Sequence, residues 1–103
     1  MNTTTLSALA EPNRLQMVEL LREGPLTVGE IADRLHIRQP QVSKHLKVLN
    51  EAKLVEVLPA ANRRYYKLRA EPLREMNDWL ETFRSIWEDQ LDRLEDYLKE
   101  IQK

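Results

Sequence analysis

The stretch from Gly24 to Asn50 constrains this chain more than any other. It holds two short amphipathic segments only three residues apart, each with its own start signal. Gly24-Pro25 is a strong stop for whatever precedes it, because glycine takes left-handed terminal conformations and proline cannot continue a helix. Thr27-Val28-Gly29-Glu30 then fits a capping box. The Thr27 hydroxyl can accept from the Glu30 backbone N–H, and the Glu30 carboxylate can accept in return from Thr27. This predicts a helix to about Leu35 with Ile31, Ala32 and Leu35 facing inward. After a tight break at His36-Ile37-Arg38, Gln39-Pro40 opens a second helix, with proline suited to its first turn. Val42, Leu46 and Leu49 share one face of it, and it should end near Ala52.

The flanks are shorter statements. Thr3–Ala10 reads as a first helix with its threonines as caps and Leu6 and Leu9 inward. Glu11-Pro12 restarts the chain, and Leu15, Val18 and Leu21 carry the next apolar face. Leu54–Leu58 and Arg64–Arg69 alternate around turn material at Pro59-Ala60-Ala61-Asn62, which predicts a hairpin over about 54–69. A lone hairpin is marginal in water, so it must lean on the helices. The expected fold is mainly α with a small β-hairpin: one winged helix-turn-helix domain over 1–103, with the helix-turn-helix at about 27–51.

Pro72 opens a last helix expected over about 72–101. Leu73, Met76, Leu80, Phe83, Trp87, Leu91, Leu94, Leu98 and Ile101 step by three or four, while nearly every acid falls opposite. If continuous to Lys103 it would span about 48 Å at 1.5 Å per residue. A globule of this size is only about 30–35 Å across. Trp79, Ile86 and Tyr97 add a second strip. A short chain buries only about 60–65% of its unfolded surface. Together these predict a homodimer, with Leu6, Leu80, Phe83, Trp87, Leu91, Leu94 and Leu98 at the interface.

Cysteine is absent, which removes disulfides, thiolate zinc sites and thiol nucleophiles together and suits a cytoplasmic location. The N-terminus has no signal-peptide pattern, and no apolar run approaches the roughly 20 residues of a membrane span. With glycine only at 24 and 29, no glycine loop can cradle a phosphate. No nucleophile–His–acid pattern appears either, so an enzyme is not expected. The net charge of −1 conceals an asymmetry. Eight cations stand against two anions from Ile37 to Arg69, and five against ten from Ala70 onward. A basic middle beside an acidic tail suggests that one face meets a polyanion.

The second helix of the pair has the two sides that groove reading needs. The major groove of DNA, about 12 Å wide, admits one helix. Arg38, Gln39, Gln41, Ser43, Lys44 and Lys47 are candidate contacts, and no acid lies between Arg38 and Asn50. Glutamine can pair with adenine, serine with donors or acceptors, lysine with guanine or phosphate. Arg63 and Arg64, near the hairpin tip, are candidates for flanking phosphates. Tyr65 and Tyr66 suit packing better than stacking, and His45, beside the apolar face, suits packing or a hydrogen bond better than metal ligation. The competing reading is a winged-helix module that binds protein and not DNA.

Three segments in register, Leu9-Ala10-Glu11-Pro12-Asn13-Arg14, Ile37 to Leu49, and Arg63-Arg64-Tyr65-Tyr66-Lys67-Leu68, resemble the ArsR/SmtB family of bacterial repressors. The resemblance runs from about Leu6 to Leu68. It implies a dimer that binds operator DNA and often regulates its own operon. A two-fold dimer would present two reading helices about 34 Å apart to an inverted repeat. The departures are specific. Thr27 and Gly29 stand where metal-sensing members carry thiolates, the last helix has no histidine, Arg38 replaces the commoner serine cap, and His36 occupies a turn position where glycine or Asn is usual. No metal and no cofactor is therefore expected. A small-molecule effector is unknown, with Trp79, Phe83 and Trp87 as the aromatic group that could line a pocket for one.

Overall fold

The computed structural model describes residues 2–102. The described residues form α1 (Thr3–Leu9), α2 (Pro12–Leu20), a 3-10 turn (Leu21–Glu23), α3 (Val28–Leu35), α4 (Gln39–Glu51), β1 (Val55–Ala60), β2 (Arg63–Leu68), α5 (Ala70–Glu81) and α6 (Arg84–Ile101). They divide into two compact units, with the boundary between Leu73 and Arg74, inside α5.

In the first unit, local chemistry sets each helix end. Asn2, and not a threonine, caps α1: its side chain accepts from the Thr4 N–H at 2.8 Å. The helix turns Thr5 and Ala8 inward and half-buries Leu9, which leaves Leu6 40% exposed, contrary to its expected inward position. Glu11 caps α2 by accepting from the Arg14 N–H at 2.9 Å, with Pro12 next in line. The Arg14 guanidinium donates to the carbonyls of Ala8 (2.7 Å) and Ser7 (3.3 Å), which occupies the otherwise open end of α1. The buried row is Met17 and Val18 of α2, continued by Leu21 of the 3-10 turn. Leu15, at the edge of that row, stays 42% exposed.

The capping box of α3 forms as the spacing predicts, at 3.2 Å from the Glu30 N–H to the Thr27 hydroxyl and 3.1 Å in return. Both helices of the pair then stop in one way. The N–H of Ile37 reaches back to the Ala32 carbonyl (3.1 Å), and that of Leu54 to the Leu49 carbonyl (2.9 Å). Each closure needs a left-handed residue, supplied by His36 (φ 56°) and Lys53 (φ 61°) where glycine is usual.

β1 and β2 pair antiparallel from Val55 opposite Leu68 to Ala60 opposite Arg63. The connection is only Ala61–Asn62, with Ala61 at φ 54°, so Pro59 and Ala60 belong to the strand and not to the turn. Pro59 is tolerated because β1 is an edge strand. The other side of β2 exchanges both backbone bonds between Tyr66 and Leu26, at 2.8 and 3.1 Å. The hairpin is thereby tied to the entry of α3.

Met17, Ile31, Val42, Leu46, Leu49, Leu54 and Val55 are wholly removed from water and form the centre of the core. Each contributes about 1.5–3 kcal/mol by burial.

The long last helix expected over about 72–101, whose continuity the spacing left open, is present with one interruption. The helix begins at Ala70, with Pro72 in its first turn, and is interrupted at Thr82–Phe83. The Thr82 hydroxyl donates to the Trp79 carbonyl at 2.6 Å, and the N–H groups of Thr82 and Phe83 take the three-residue bonds of a tightened turn. Arg84 spans the interruption, bonding Glu81 (3.2 Å) and Glu88 (2.9 Å).

The two glycines should respond to alanine with opposite signs. Gly24 has φ +138° and ψ 180°, a conformation nearly closed to other residues. Gly29 is helical, and a Cβ there would meet only Gln39 Nε2 at 3.6 Å and Thr27 Oγ1 at 4.0 Å. We expect Gly24→Ala to cost about 1–3 kcal/mol and Gly29→Ala to gain about 0.5–1 kcal/mol. Urea unfolding of both variants checks this, and a shift of the same sign in both would contradict the backbone assignment.

Candidate nucleic-acid interface

The exposed side of α4 follows from its buried one. With Val42, Leu46 and Leu49 fixed in the core, the 100° step puts Gln41, Lys44 and Val48 on one outward strip. Gln39, Ser43 and Lys47 fall on the adjoining strip. All six are exposed. Val48 lines a shallow groove with Thr3, Thr4 and Ser7 of α1, so the polar part of the face is the N-terminal two turns and the side through Lys47.

Arg38 is the residue before α4, extended at φ −66° and ψ 140°, and its side chain makes no capping bond. Its carbonyl accepts from the N–H groups of Gln41 and Val42, both at 3.0 Å. The guanidinium is thus left to solvent, as the missing serine cap implied. The Gln39 amide nitrogen lies 3.6 Å from where a Cβ on Gly29 would stand, so this exposed side chain extends near the start of α3. Arg63 and Arg64 are exposed at the start of β2, beside the turn.

The cations of the basic middle fall into two groups. Lys67 pairs with Glu56 at 3.5 Å, and Arg69 with Glu71 at 3.5 Å. Among the described residues, Arg38, Lys44, Lys47, Lys53 and Arg64 have no such partner, and Arg63 acts on Glu30 through space. The unpaired charges are those on α4, at its entry and exit, and at the hairpin tip. That distribution concentrates uncompensated positive charge where a polyanion would approach.

Three features go beyond the sequence pattern. The first is the Leu26–Tyr66 bridge, since an isolated backbone pair leaves no periodic mark. Tyr66 is half-buried against the core, which accords with a packing role. The second is Glu30. Its carboxyl is held below the usual glutamate range, first by the Thr27 backbone N–H and then by the Thr27 hydroxyl, with Arg63 and Arg34 acting through space. The third is His45, whose Nδ1 lies 3.7 Å from the Glu11 carboxylate. Half-buried, it links the face of α4 to the cap of α2.

The expected interface residues all lie open. Leu6, Leu80, Phe83, Trp87, Leu91, Leu94 and Leu98 are exposed, and Trp79 meets Phe83 edge to face at 5.2 Å. Among the described residues no three His, Asp or Glu gather as a set that could hold a metal ion, and no helix is long and apolar enough to cross a membrane.

Two helices in tight succession, the second with a buried and a polar side, and a hairpin docked on the entry of the first define a winged helix-turn-helix regulator. The family model described as "Bacterial regulatory protein, arsR family" matches residues 11–57, from the cap of α2 into β1. This chain belongs to the ArsR family of bacterial transcriptional regulators. An HTH-type transcriptional regulator of Mycobacterium tuberculosis is 46% identical over 74% of this chain and 71% of its own length. The transcriptional repressor SdpR of Bacillus subtilis is 30% identical over 74% of this chain and 84% of its own. Among solved structures, a homodimeric winged helix-turn-helix DNA-binding domain from Mycobacterium bovis superposes with a TM-score of 0.67. It is 26% identical and covers 81% of this chain and 77% of that one.

The lowered Glu30 carboxyl has a signed consequence. A depressed folded value means that the charged form supports α3, so the stabilisation is present above the usual glutamate range and is lost as pH falls below it. Glu30→Gln keeps an acceptor for the Thr27 N–H but does not titrate. Thermal melts from pH 7 to pH 3 should therefore show a smaller stability loss in Glu30→Gln than in the parent chain. Parallel curves would remove the electrostatic part of the box.

Proposed function

We propose that this chain is a dimeric transcriptional repressor, working in the cytoplasm, that reads an inverted-repeat operator in double-stranded DNA. The N-terminal part of α4 enters the major groove, and the hairpin holds flanking phosphates. One observation carries the reading: α4 sets a fully buried row, Val42, Leu46 and Leu49, against an exposed polar face free of acids from Arg38 to Asn50. A helix that only packs, or that is only solvated, has no physical reason to exclude carboxylates from thirteen consecutive positions. A helix that approaches phosphates does, because each carboxylate would be repelled at close range.

Roles follow from position. Gln41, Ser43 and Lys44 are the base readers. Arg38, Lys47, Arg63 and Arg64 hold the backbone, and Gln39, near the start of α3, contributes at the edge of the contact. Two subunits meet through Leu6 and the exposed apolar faces of α5 and α6, which places two reading helices about one DNA turn apart. The homodimeric relative and the repressor named among the relatives support the dimer and the repressing output. Control of its own operon is part of the same proposal.

Competition binding against a selected operator tests the assignment. Gln41→Ala and Ser43→Ala should each cost about 1–3 kcal/mol at the cognate site and relax specificity at one position. Arg64→Ala should weaken all sequences alike and lower the salt slope by about one. If Arg64→Ala shifted the preferred site instead, the hairpin would be reading bases. A stable dimer with no DNA affinity even at low salt would favour the protein-interaction module.

A further inference from the structure

His45 is the half-buried titratable side chain of α4 that the proposed contacts leave unused. It stands one turn after Gln41 and next to Lys44, between the buried row and the outward strip. Its Nδ1 lies 3.7 Å from the Glu11 carboxylate, with the two side chains 20% and 30% exposed. The neighbour matters because α4 itself holds no acid from Arg38 to Asn50. The cap of α2 thus brings a carboxylate to the edge of a face that otherwise excludes them.

Among the described residues, that carboxylate has no permanent counter-charge. The Arg14 guanidinium is committed to the carbonyls of Ala8 and Ser7, and only the Arg14 backbone N–H reaches Glu11. His45 is the side chain within ion-pair distance that can become a cation. No buried side-chain nitrogen or oxygen of the described residues lacks a hydrogen-bond partner, and His45 makes no hydrogen bond, so its ring nitrogens reach water and can take up a proton in place. The other elements packed on α4 supply no competing charge. Helix α1 has no ionisable side chain. In α3, Glu30 holds Thr27 and Arg34 holds Glu23, while Glu56 of β1 holds Lys67. Glu19 and Asp33 are exposed and pair with neither Glu11 nor His45.

We propose that His45 is an affinity-determining residue whose proton shields the operator from the Glu11 carboxylate. The proposal rests on the DNA-reading assignment of α4 and adds a charge that exists in one protonation state only. With the imidazolium formed, the Glu11–His45 pair is neutral and the edge of α4 presents its lysines. With the imidazole neutral, a net negative charge stands beside the reading strip. The His45 Cα lies about 6 Å along the helix from that of Gln41, inside the screening length of about 8–10 Å at ordinary salt, so approaching phosphates are repelled. Histidine is the side chain whose charge ordinarily changes between about pH 5 and 8. Operator affinity therefore rises as pH falls through that window.

The full chain is titrated against a selected operator duplex at fixed ionic strength from pH 8 to pH 6. Binding by the parent chain should tighten about two- to fivefold, the effect of a part-exposed ion pair. The chain has two histidines, so His36→Asn, which suits the left-handed turn, is the control and should keep the full pH response. His45→Gln should bind at every pH as the parent does at pH 8. His45→Lys, with a permanent charge, should bind at pH 8 as the parent does at pH 6. Glu11→Gln keeps an acceptor for the Arg14 N–H and should tighten binding at pH 8. A cap that only holds α2 in place gives weaker binding instead, which would overturn the proposal. Should Glu11→Gln fail to fold, the two His45 variants still decide, because equal binding by both at pH 8 overturns it. A pH response lost in His36→Asn but kept in His45→Gln overturns it as well, as does a parent chain that binds the operator equally across the range. No operator binding at any pH removes the DNA-reading assignment itself, and this proposal with it.

Discussion

Everything that faces outward on α4 is set by what it buries. Val42, Leu46 and Leu49 have no contact with water, and they lie against Met17 and Ile31 from α2 and α3 and Leu54 and Val55 after the helix. Three anchors over two turns leave the helix no freedom to roll without opening a cavity in a close-packed core. The polar face is therefore a consequence of packing, fixed before any ligand arrives. The closure at Lys53 and Leu54 extends the same constraint, because the residue that ends α4 also delivers the buried start of the hairpin. Helix α4 and the hairpin are in this sense one construction, joined again from the other side by the Leu26–Tyr66 bridge.

The ArsR-family motif at Glu11-Pro12-Asn13-Arg14 acquires a structural meaning from this arrangement. Glu11 caps α2 and lies near His45 of α4, while Arg14 closes the end of α1. Neither side chain is on the polar face of α4. Their work is to tie the α1–α2 corner together and, through His45, to α4. Gln39, which its position in the sequence marks as a reader, has its amide near the start of α3.

The legible parts of the chain were those in which local chemistry and tertiary packing agree. The capping box at Thr27–Glu30, the proline starts, the row on α4 and the alternation of the hairpin all belong to this class, because one signal suffices for each. The misread parts were those where two local options were nearly equal. Asn2 competed with the threonines as a cap. Leu15 and Met17 lie about 160° apart on α2, and only the surrounding core decides for Met17. His36 shows the converse. A left-handed position filled by histidine is poorly marked by its residue type, yet the three-residue spacing still required the turn. For the interface, residue types and exposure were readable, whereas the Glu30–Arg63 proximity depends on how the hairpin folds back and left no trace in the pattern.

The interruption at Thr82–Phe83 was hidden by the very pattern that suggested a long helix, since apolar residues step across it and neither proline nor glycine marks it. The spacing nevertheless carries a mark. Upstream the steps run 3, 4, 3, 4 from Leu73 to Trp87, and downstream 4, 3, 4, 3 from Trp87 to Ile101. Two consecutive steps of four, Phe83 to Trp87 to Leu91, shift the heptad by four residues, which is a stutter. A stutter must be absorbed by local unwinding of the helix, or by a break that resets its phase. At the break the Trp79 carbonyl accepts from both the Thr82 hydroxyl and the Thr82 N–H, so the tightened turn is doubly bonded. Two apolar rows of different phase then need not face the same surface. The apolar pattern from Leu73 to Ile101 is therefore carried by two shorter helices, α5 and α6, with rows of different phase.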